Sequence, residues 1–382
     1  MESQNDSVPD NPILHSDYIA ELSKRGYQSL KENSIPQAVE CFSKILEIDK
    51  NNNYALVGMG DAARKKNQYR QAITYYEFCL DLYPGNNYAL FGLADCFKSL
   101  NQYYKAIDVW SKYLEHDDGN ITVLTRMADA YRKLRDFKNS KEVYQRVLNI
   151  DEYNPYAIIG MGHLHYDFKE YRDALYYWER MLERRSMVSV DIRVLTSIGN
   201  CHRKLKNFDD GIVYFDAAIQ REPSNFYALF GLADCFRGLN QPIRSLEYWN
   251  RILDMDPRNK VILTRAGDAY CTMKNFDKAL EYYNRALSID FDPYAVLGLS
   301  VVNRERGRYE QAVEALRGLL KNEPKNHRVY IELSECYLRQ NDVEAAIEIL
   351  REFAQFGIKN NAIFEMLIRL ENHACRIDGG GI

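Results

Sequence analysis

Small side chains return along this chain at a fixed interval of 34 residues, and no other feature limits its folding as strongly. Gly26, Gly60, Ala94, Ala128 and Gly162 form one series, and Ala38, Ala72, Ala106, Ser140 and Ala174 a second, twelve residues later. Phe42, Tyr76, Trp110, Tyr144 and Trp178 form a third, four residues further on. A fixed period of this length marks a chain built of repeated structural units. One such unit cannot bury its own apolar face, so the units must stack.

After a three-residue insertion around Arg184 to Val190 the register resumes with Gly199, Gly211 and Phe215, then Ala233, Ser245 and Trp249, then Gly267, Ala279 and Tyr283. One residue is lost before Ser300, Ala312 and Leu316, and the last unit carries Ser334, Ala346 and Leu350. This pattern resembles the tetratricopeptide repeat, whose eighth and twentieth positions are small and whose twenty-fourth is bulky. The resemblance implies an all-α, right-handed α-α superhelical solenoid of ten helical hairpins plus a capping helix. The repeats would start at Ile19, Asn53, Asn87, Ile121, Pro155, Ile192, Phe226, Lys260, Pro293 and His327 and span residues 19–360. Pro84, Pro223, Pro257 and Pro324 fall where second helices should stop, and Pro155 and Pro293 where first helices should start. Residues 361–376, with Ile363, Phe364, Leu367 and Leu370 on one face, read as the capping helix. The leader, 1–18, and the tail, 377–382, are expected to be mobile.

The chain has 382 residues, of which 46% are hydrophobic and 27% charged, with few prolines and glycines, as an ordered helical protein requires. A net charge of -4 gives no global basic field of the kind that drives nucleic-acid binding. The first eighteen residues lack the basic start and apolar core of a secretory signal, and no stretch is apolar enough to cross a bilayer. A soluble, cytoplasmic protein without membrane insertion is therefore expected. The eight cysteines are scattered singly, with no C-x-x-C pair, and read as reduced thiols; Cys79 falls at a small, buried position.

In the family that this chain resembles, first-helix positions 2, 5, 6, 9, 12 and 13 line a concave groove, which places candidate partner-binding residues one by one. Position 2 supplies Tyr54, Tyr88, Tyr156, Tyr227 and Tyr294, and position 5 includes Phe91 and Phe230. A ring with a polar tip is a natural peptide anchor. Position 9 is Asp61, Asp95, Asp129, Asp234 or Asp268, followed three residues later by Arg64, Lys98, Arg132 and Arg237 in four of the five units, a spacing that puts acid and base on one helical face. These pairs either tie neighbouring helices together or present a ladder of donors and acceptors to a partner.

The lining positions hold sixteen basic and nine acidic residues, although the chain as a whole is acidic. Lys24, Lys31, Lys65, Arg126, Lys133, Arg193, Lys204, Arg265 and Arg328 supply most of that excess. The expected ligand is a protein or peptide with acidic groups or a free carboxylate. Repeat proteins that dock chaperone tails use a two-carboxylate clamp with asparagine at position 9. Only Asn200, with Arg203 and Lys204, offers that here, and the aspartates elsewhere argue against it.

Residues 88–97 and 227–236 are identical, YALFGLADCF, at an offset of 139 that also relates Leu124-Thr125-Arg126 to Leu263-Thr264-Arg265. Repeats three to five and seven to nine read as copies of one block, either duplicated without functional consequence or presenting two equivalent surfaces to two ligands.

No catalytic, cofactor or metal site is expected. His163 and His165 point roughly 200° apart on a helix and cannot share an ion. Gly58-Met59-Gly60 and Gly160-Met161-Gly162 lie inside first helices with no preceding strand; close helix contact accounts for Gly60 and Gly162, and an opened groove wall for Gly58 and Gly160. The functional expectation is a non-catalytic scaffold or adaptor that holds an extended partner segment in a positively biased groove. The alternatives are a homo-oligomer that uses the groove or captures the tail through Ile382, and a reader of single-stranded RNA.

Overall fold

The computed structural model of this chain describes residues 12–184 and 191–378, and every regular element in them is a helix. The chain divides into two units at Arg185 and Ser186, each a row of helical hairpins. In the first unit the leading helices are α1 (Pro12–Lys31), α3 (Asn53–Lys65), α5 (Asn87–Ser99), α7 (Ile121–Lys133) and α9 (Pro155–Asp167). Their partners are α2 (Ile35–Ile48), α4 (Tyr69–Leu82), α6 (Tyr103–Leu114), α8 (Phe137–Ile150) and α10 (Tyr171–Arg184). In the second unit the leading helices are α11 (Ile192–Lys204), α13 (Phe226–Gly238), α15 (Lys260–Thr272), α17 (Pro293–Glu305) and α19 (His327–Arg339). They pair with α12 (Phe208–Arg221), α14 (Pro242–Met255), α16 (Phe276–Ile289), α18 (Tyr309–Asn322) and α20 (Val343–Ala354), and α21 (Asn361–Asp378) follows.

Local chemistry decides the ends. Asn52, Asn86, Asn120, Asn154, Asn225 and Asn259 each accept a hydrogen bond from the backbone N–H three residues on, which satisfies one of the donors a helix start leaves open. Asn225→Ala should therefore cost the second unit about 1 kcal/mol, read as a lower urea midpoint. Within each hairpin the turn needs one residue in the left-handed region. Asn33, Asn67, Asn101, Asn240 and Asn341 adopt it, as does Gly307, and Arg135, Lys169, Lys206 and Lys274 are held there as well. Pro84, Pro223, Pro257 and Pro324 each lie two residues past the last residue of a second helix.

Each hairpin packs by its small positions. A Cβ on Gly211 would come within 3.2 Å of the Gly199 carbonyl oxygen, so the two backbones do cross closely there. Trp110, Trp178, Trp249, Tyr76, Tyr144, Tyr283, Phe42 and Phe215, all at position 24, are buried.

The glycines at position 6 correct one expectation. A Cβ at Gly58 would meet the Phe42 ring at 2.4 Å, at Gly92 the Tyr76 ring at 2.3 Å, at Gly160 the Tyr144 ring at 2.4 Å, and at Gly231 the Phe215 ring at 2.2 Å. Gly58 and Gly160 thus make room for the ring of the preceding hairpin and do not open a groove wall. Where that ring is tryptophan, position 6 of the next hairpin carries a side chain: Arg126 after Trp110, Ser197 after Trp178 and Arg265 after Trp249.

Two segments differ from expectation or escape it. Residues 12–18, assigned to a mobile leader, belong to α1: Pro12 suits a first helical position, and Tyr18 and Ile19 pack against Leu22, Leu30, Phe42 and Ile45. Residues 1–11, the insertion at 185–190 and tail residues 379–382, Ile382 included, lie outside the described residues. At the far end, α21 lays Ile363, Met366, Leu367 and Leu370 into a cluster with Leu350 and Phe353. No described helix is long and apolar enough to cross a membrane.

Leading helices of neighbouring hairpins touch one another: α1 with α3, α3 with α5 and α7 with α9 in the first unit, and α11 with α13, α15 with α17 and α17 with α19 in the second. No comparable contact joins neighbouring second helices among the described residues. At these steps the leading helices are the closer-set layer, and together they make up one wall of each unit.

Candidate partner-binding wall

The five tyrosines at position 2 stand out from the wall. Tyr54, Tyr88, Tyr156, Tyr227 and Tyr294 are 60–79% exposed, each one residue inside the start of a leading helix, where the ring clears the neighbouring hairpin. In the first unit Tyr54 and Tyr88 border a cleft of about 540 Å³ with Tyr27, Val57 and Asp61. A neighbouring cleft of about 450 Å³ is lined by Tyr88, Phe91, Asp61, Arg64 and Tyr113. Phe91 and Phe230 are half-buried, and Phe230 packs edge-on against Trp249 at 5.1 Å.

The aspartates at position 9 are all engaged inside the wall, in two ways set by the ring at position 24. Where that ring is tyrosine, its hydroxyl donates to the carboxylate: Tyr76 to Asp61 at 2.7 Å, Tyr144 to Asp129 at 2.6 Å and Tyr283 to Asp268 at 2.8 Å. Where it is tryptophan, arginines take over. Asp95 is paired with Arg126 of the next hairpin and, at 3.6 Å, with Arg64 of the preceding one. Asp234 is paired with Arg203 of the preceding hairpin at 2.5 Å and with Arg237 of its own helix at 2.7 Å.

Three of the four expected same-helix pairs form: Asp61 with Arg64 at 3.0 Å, Asp129 with Arg132 at 3.6 Å and Asp234 with Arg237. Asp95 and Lys98 do not pair. Arg132 also reaches Asp167 of the next hairpin at 2.6 Å, a contact between residues 35 apart that no single-helix spacing announces. Asn200 accepts from Arg203 at 3.1 Å, while Lys204 is exposed. The arrangement thus contains both contacts within a helix and ties between hairpins.

These surroundings separate the carboxylates electrostatically. Burial alone would push Asp234 up, but the guanidiniums of Arg237 and Arg203 hold it below the usual carboxylate range. Asp268 goes the other way: burial raises it, and the Tyr283 hydroxyl and Arg265 only partly offset that. Among the described residues the Arg265 side chain makes no hydrogen bond and reaches Asp268 only at 4.0 Å. It borders a cleft of about 800 Å³ together with Tyr294, Leu297 and Arg328.

One cluster of possible metal ligands occurs among the described residues, His165 with Glu170 and Asp173. Its geometry is that of a packed histidine: His165 is buried, stacks on Tyr177 at 5.4 Å and bonds Glu170 through Nδ1 at 2.6 Å. His163 lies edge-on to Trp178 at 5.2 Å, away from that cluster.

No curated protein matches this sequence. Among solved structures, that of yeast Tom70 is similar at 13% identity, covering 95% of this chain and 96% of that one with a TM-score of 0.44. The MamA protein is similar at 20% identity over 45% of this chain and 92% of that one, with a TM-score of 0.41. A tetratricopeptide repeat protein from Parabacteroides merdae ATCC 43184 is similar at 14% identity over 75% and 99%, with a TM-score of 0.39. Family models described as tetratricopeptide repeat match residues 57–121, 121–154, 196–242, 261–292 and 304–354. Such repeats serve as protein-interaction scaffolds. With hairpins matched in both units, the chain belongs to the tetratricopeptide-repeat family.

Proposed function

We propose that this protein is a scaffold whose walls of leading helices grip an extended segment of a partner protein, with the position-2 tyrosines as anchors and unpaired arginines selecting acidic groups. The observation that carries this reading is the contrast within the wall of each unit: the position-9 carboxylates are bonded internally, whereas the five position-2 tyrosines are left 60–79% exposed. Packing does not need an exposed ring at this place. A large apolar group with a hydroxyl tip contributes binding energy at little entropic cost when a partner covers it.

The test replaces Tyr54, Tyr88, Tyr227 and Tyr294 with alanine in the full chain and compares proteins captured from the source cell by wild type and variant. Exposed side chains contribute little to folding, so each substitution should shift stability by no more than about 0.5 kcal/mol. Partners held by wild type should be lost by the variant. Undiminished capture by a folded variant would remove the tyrosines from the binding surface. Added salt should weaken capture if the acidic selection is correct.

A further inference from the structure

The two related blocks keep Asp95 and Asp234, Arg126 and Arg265, and Arg64 and Arg203 at matching positions but pair them differently, and at one further matching position Lys98 stands where the other block has Arg237. In the first block the carboxylate oxygen Oδ1 of Asp95 is occupied by Arg126 of the following hairpin, whose guanidinium also lies 4.9 Å from the centre of the Phe91 ring. Lys98, one turn after Asp95, makes no side-chain hydrogen bond or ion pair among the described residues. In the second block the equivalent of Lys98 is Arg237, and it takes Oδ1 of Asp234 itself through Nε at 2.9 Å and Nη2 at 2.7 Å. The equivalent of Arg126 is Arg265, and it is left with only the 4.0 Å contact to Asp268. The forked guanidinium bonds its own helix's carboxylate with two nitrogens, whereas a lysine offers one flexible point charge. An arginine at this position therefore displaces the downstream arginine.

The released Arg265 borders the cleft of about 800 Å³ in the second unit. Its acidic neighbours are occupied by wall donors: Asp268 by the Tyr283 hydroxyl at 2.8 Å, and Asp292 by the Thr264 hydroxyl at 2.8 Å and the Tyr294 N–H at 2.9 Å. Lys260 is tied to Asp290 at 2.9 Å. Arg328, on α19 beyond α17, is exposed and has no side-chain partner among the described residues. Between Arg265 and Arg328 along the stack, α17 presents the exposed Tyr294 and the half-buried Leu297. Cation, apolar patch and cation thus follow one another across three leading helices.

From this we infer that the two blocks are not equivalent binding surfaces: the cleft of the second unit takes an extended peptide carrying acidic side chains on either side of an apolar one, whereas in the first unit the counterpart of Arg265, Arg126, is held by Asp95. The inference rests on the groove reading above and narrows it to one unit and one ligand chemistry.

The probe is a short fluorescent peptide of alternating Glu and Leu, acetylated and amidated so that it has no terminal carboxylate, titrated against the full chain. Its Gln–Leu counterpart, with and without a free C-terminal carboxylate, distinguishes side-chain from terminal recognition. Wild type should bind one Glu–Leu peptide and neither Gln–Leu form. R265Q should weaken binding about tenfold, the loss of one charged contact. R237K keeps the charge but frees Oδ1 of Asp234 for Arg265, and should weaken binding by a similar factor. K98R, the reverse exchange in the first block, should release Arg126 and raise the number of peptides bound from one to two. Circular dichroism verifies that each variant is folded.

Wild type binding two peptides, R265Q or R237K binding as wild type, K98R still taking one, or preference for the free carboxylate would each overturn the assignment. So would failure of wild type to bind the probe. All of these leave the broader reading standing if the tyrosine variant loses its partners, and that reading falls separately if it does not.

Discussion

Gly231→Ala is expected to lower the stability of the second unit by about 1–3 kcal/mol, although alanine is the better helix former by about 1 kcal/mol. The added Cβ would sit 2.2 Å from Cζ of Phe215, a ring with no exposed surface and so no room to retreat. Overpacking therefore outweighs propensity. In the ninth hairpin, Leu316 replaces the ring and position 6 of the next unit is Glu332, so a smaller group should accommodate the Cβ. Phe215→Leu alone should be destabilising by up to about 1.5 kcal/mol, and the double variant should cost less than the sum of the singles by about 1 kcal/mol or more. Urea unfolding of the four proteins measures this cycle. An additive result would mean that the ring is not what keeps position 6 glycine.

A steep loss of stability above about pH 10 is the second large effect. Tyr76, Tyr144 and Tyr283 are buried, and burial together with the adjacent carboxylates of Asp61, Asp129 and Asp268 pushes each phenol far above its ordinary value. Below pH 10 these tyrosines carry their protons in both states and contribute no slope. Above it the unfolded chain releases them while the folded chain retains them, so the unfolded state binds fewer protons and stability falls as pH rises. Each tyrosine contributes about 1.4 kcal/mol per pH unit. Burial also pushes the thiols of Cys96, Cys235 and Cys336 to about 12 and that of Cys271 to about 11, so their contribution is lost from about pH 9 upward. Urea midpoints between pH 8 and 11.5 would follow this fall, and Tyr144→Phe should flatten it in the first unit. A flat profile would show that these phenols ionise in the folded protein.

Much of the fold is legible because the forces that set it are local or strictly periodic. A proline after a helix acts within a few residues of itself, and the small residues recur at a fixed period, so their spacing alone puts helix starts at Asn53 and Phe226, where α3 and α13 begin. The exposure of Tyr54 and Tyr227 is similarly a matter of place: the second residue of a leading helix lies beyond the reach of its neighbours. The same-helix pairs Asp61–Arg64 and Asp234–Arg237 follow from one turn of helix.

The pairings that give the wall its character are not local. Arg126 and Asp95 are 31 residues apart, as are Arg203 and Asp234, and each carboxylate is contested by arginines from more than one hairpin. Spacing names the contestants and cannot rank them, because the ranking depends on how many guanidinium nitrogens reach one oxygen at once. The same holds for Gly58 and Gly160, whose bare backbone answers a ring from the preceding hairpin.

By itself, then, the amino-acid order determined that this chain is a helical array of the tetratricopeptide kind, since small and bulky groups at a fixed period leave paired, stacked helices as the way to bury them. Only the tertiary structure decided which charges are paired inside the wall and which are left without a partner side chain among the described residues. That choice is a competition among side chains brought together by stacking, and it differs between two related blocks, one of which has Arg237 where the other has Lys98.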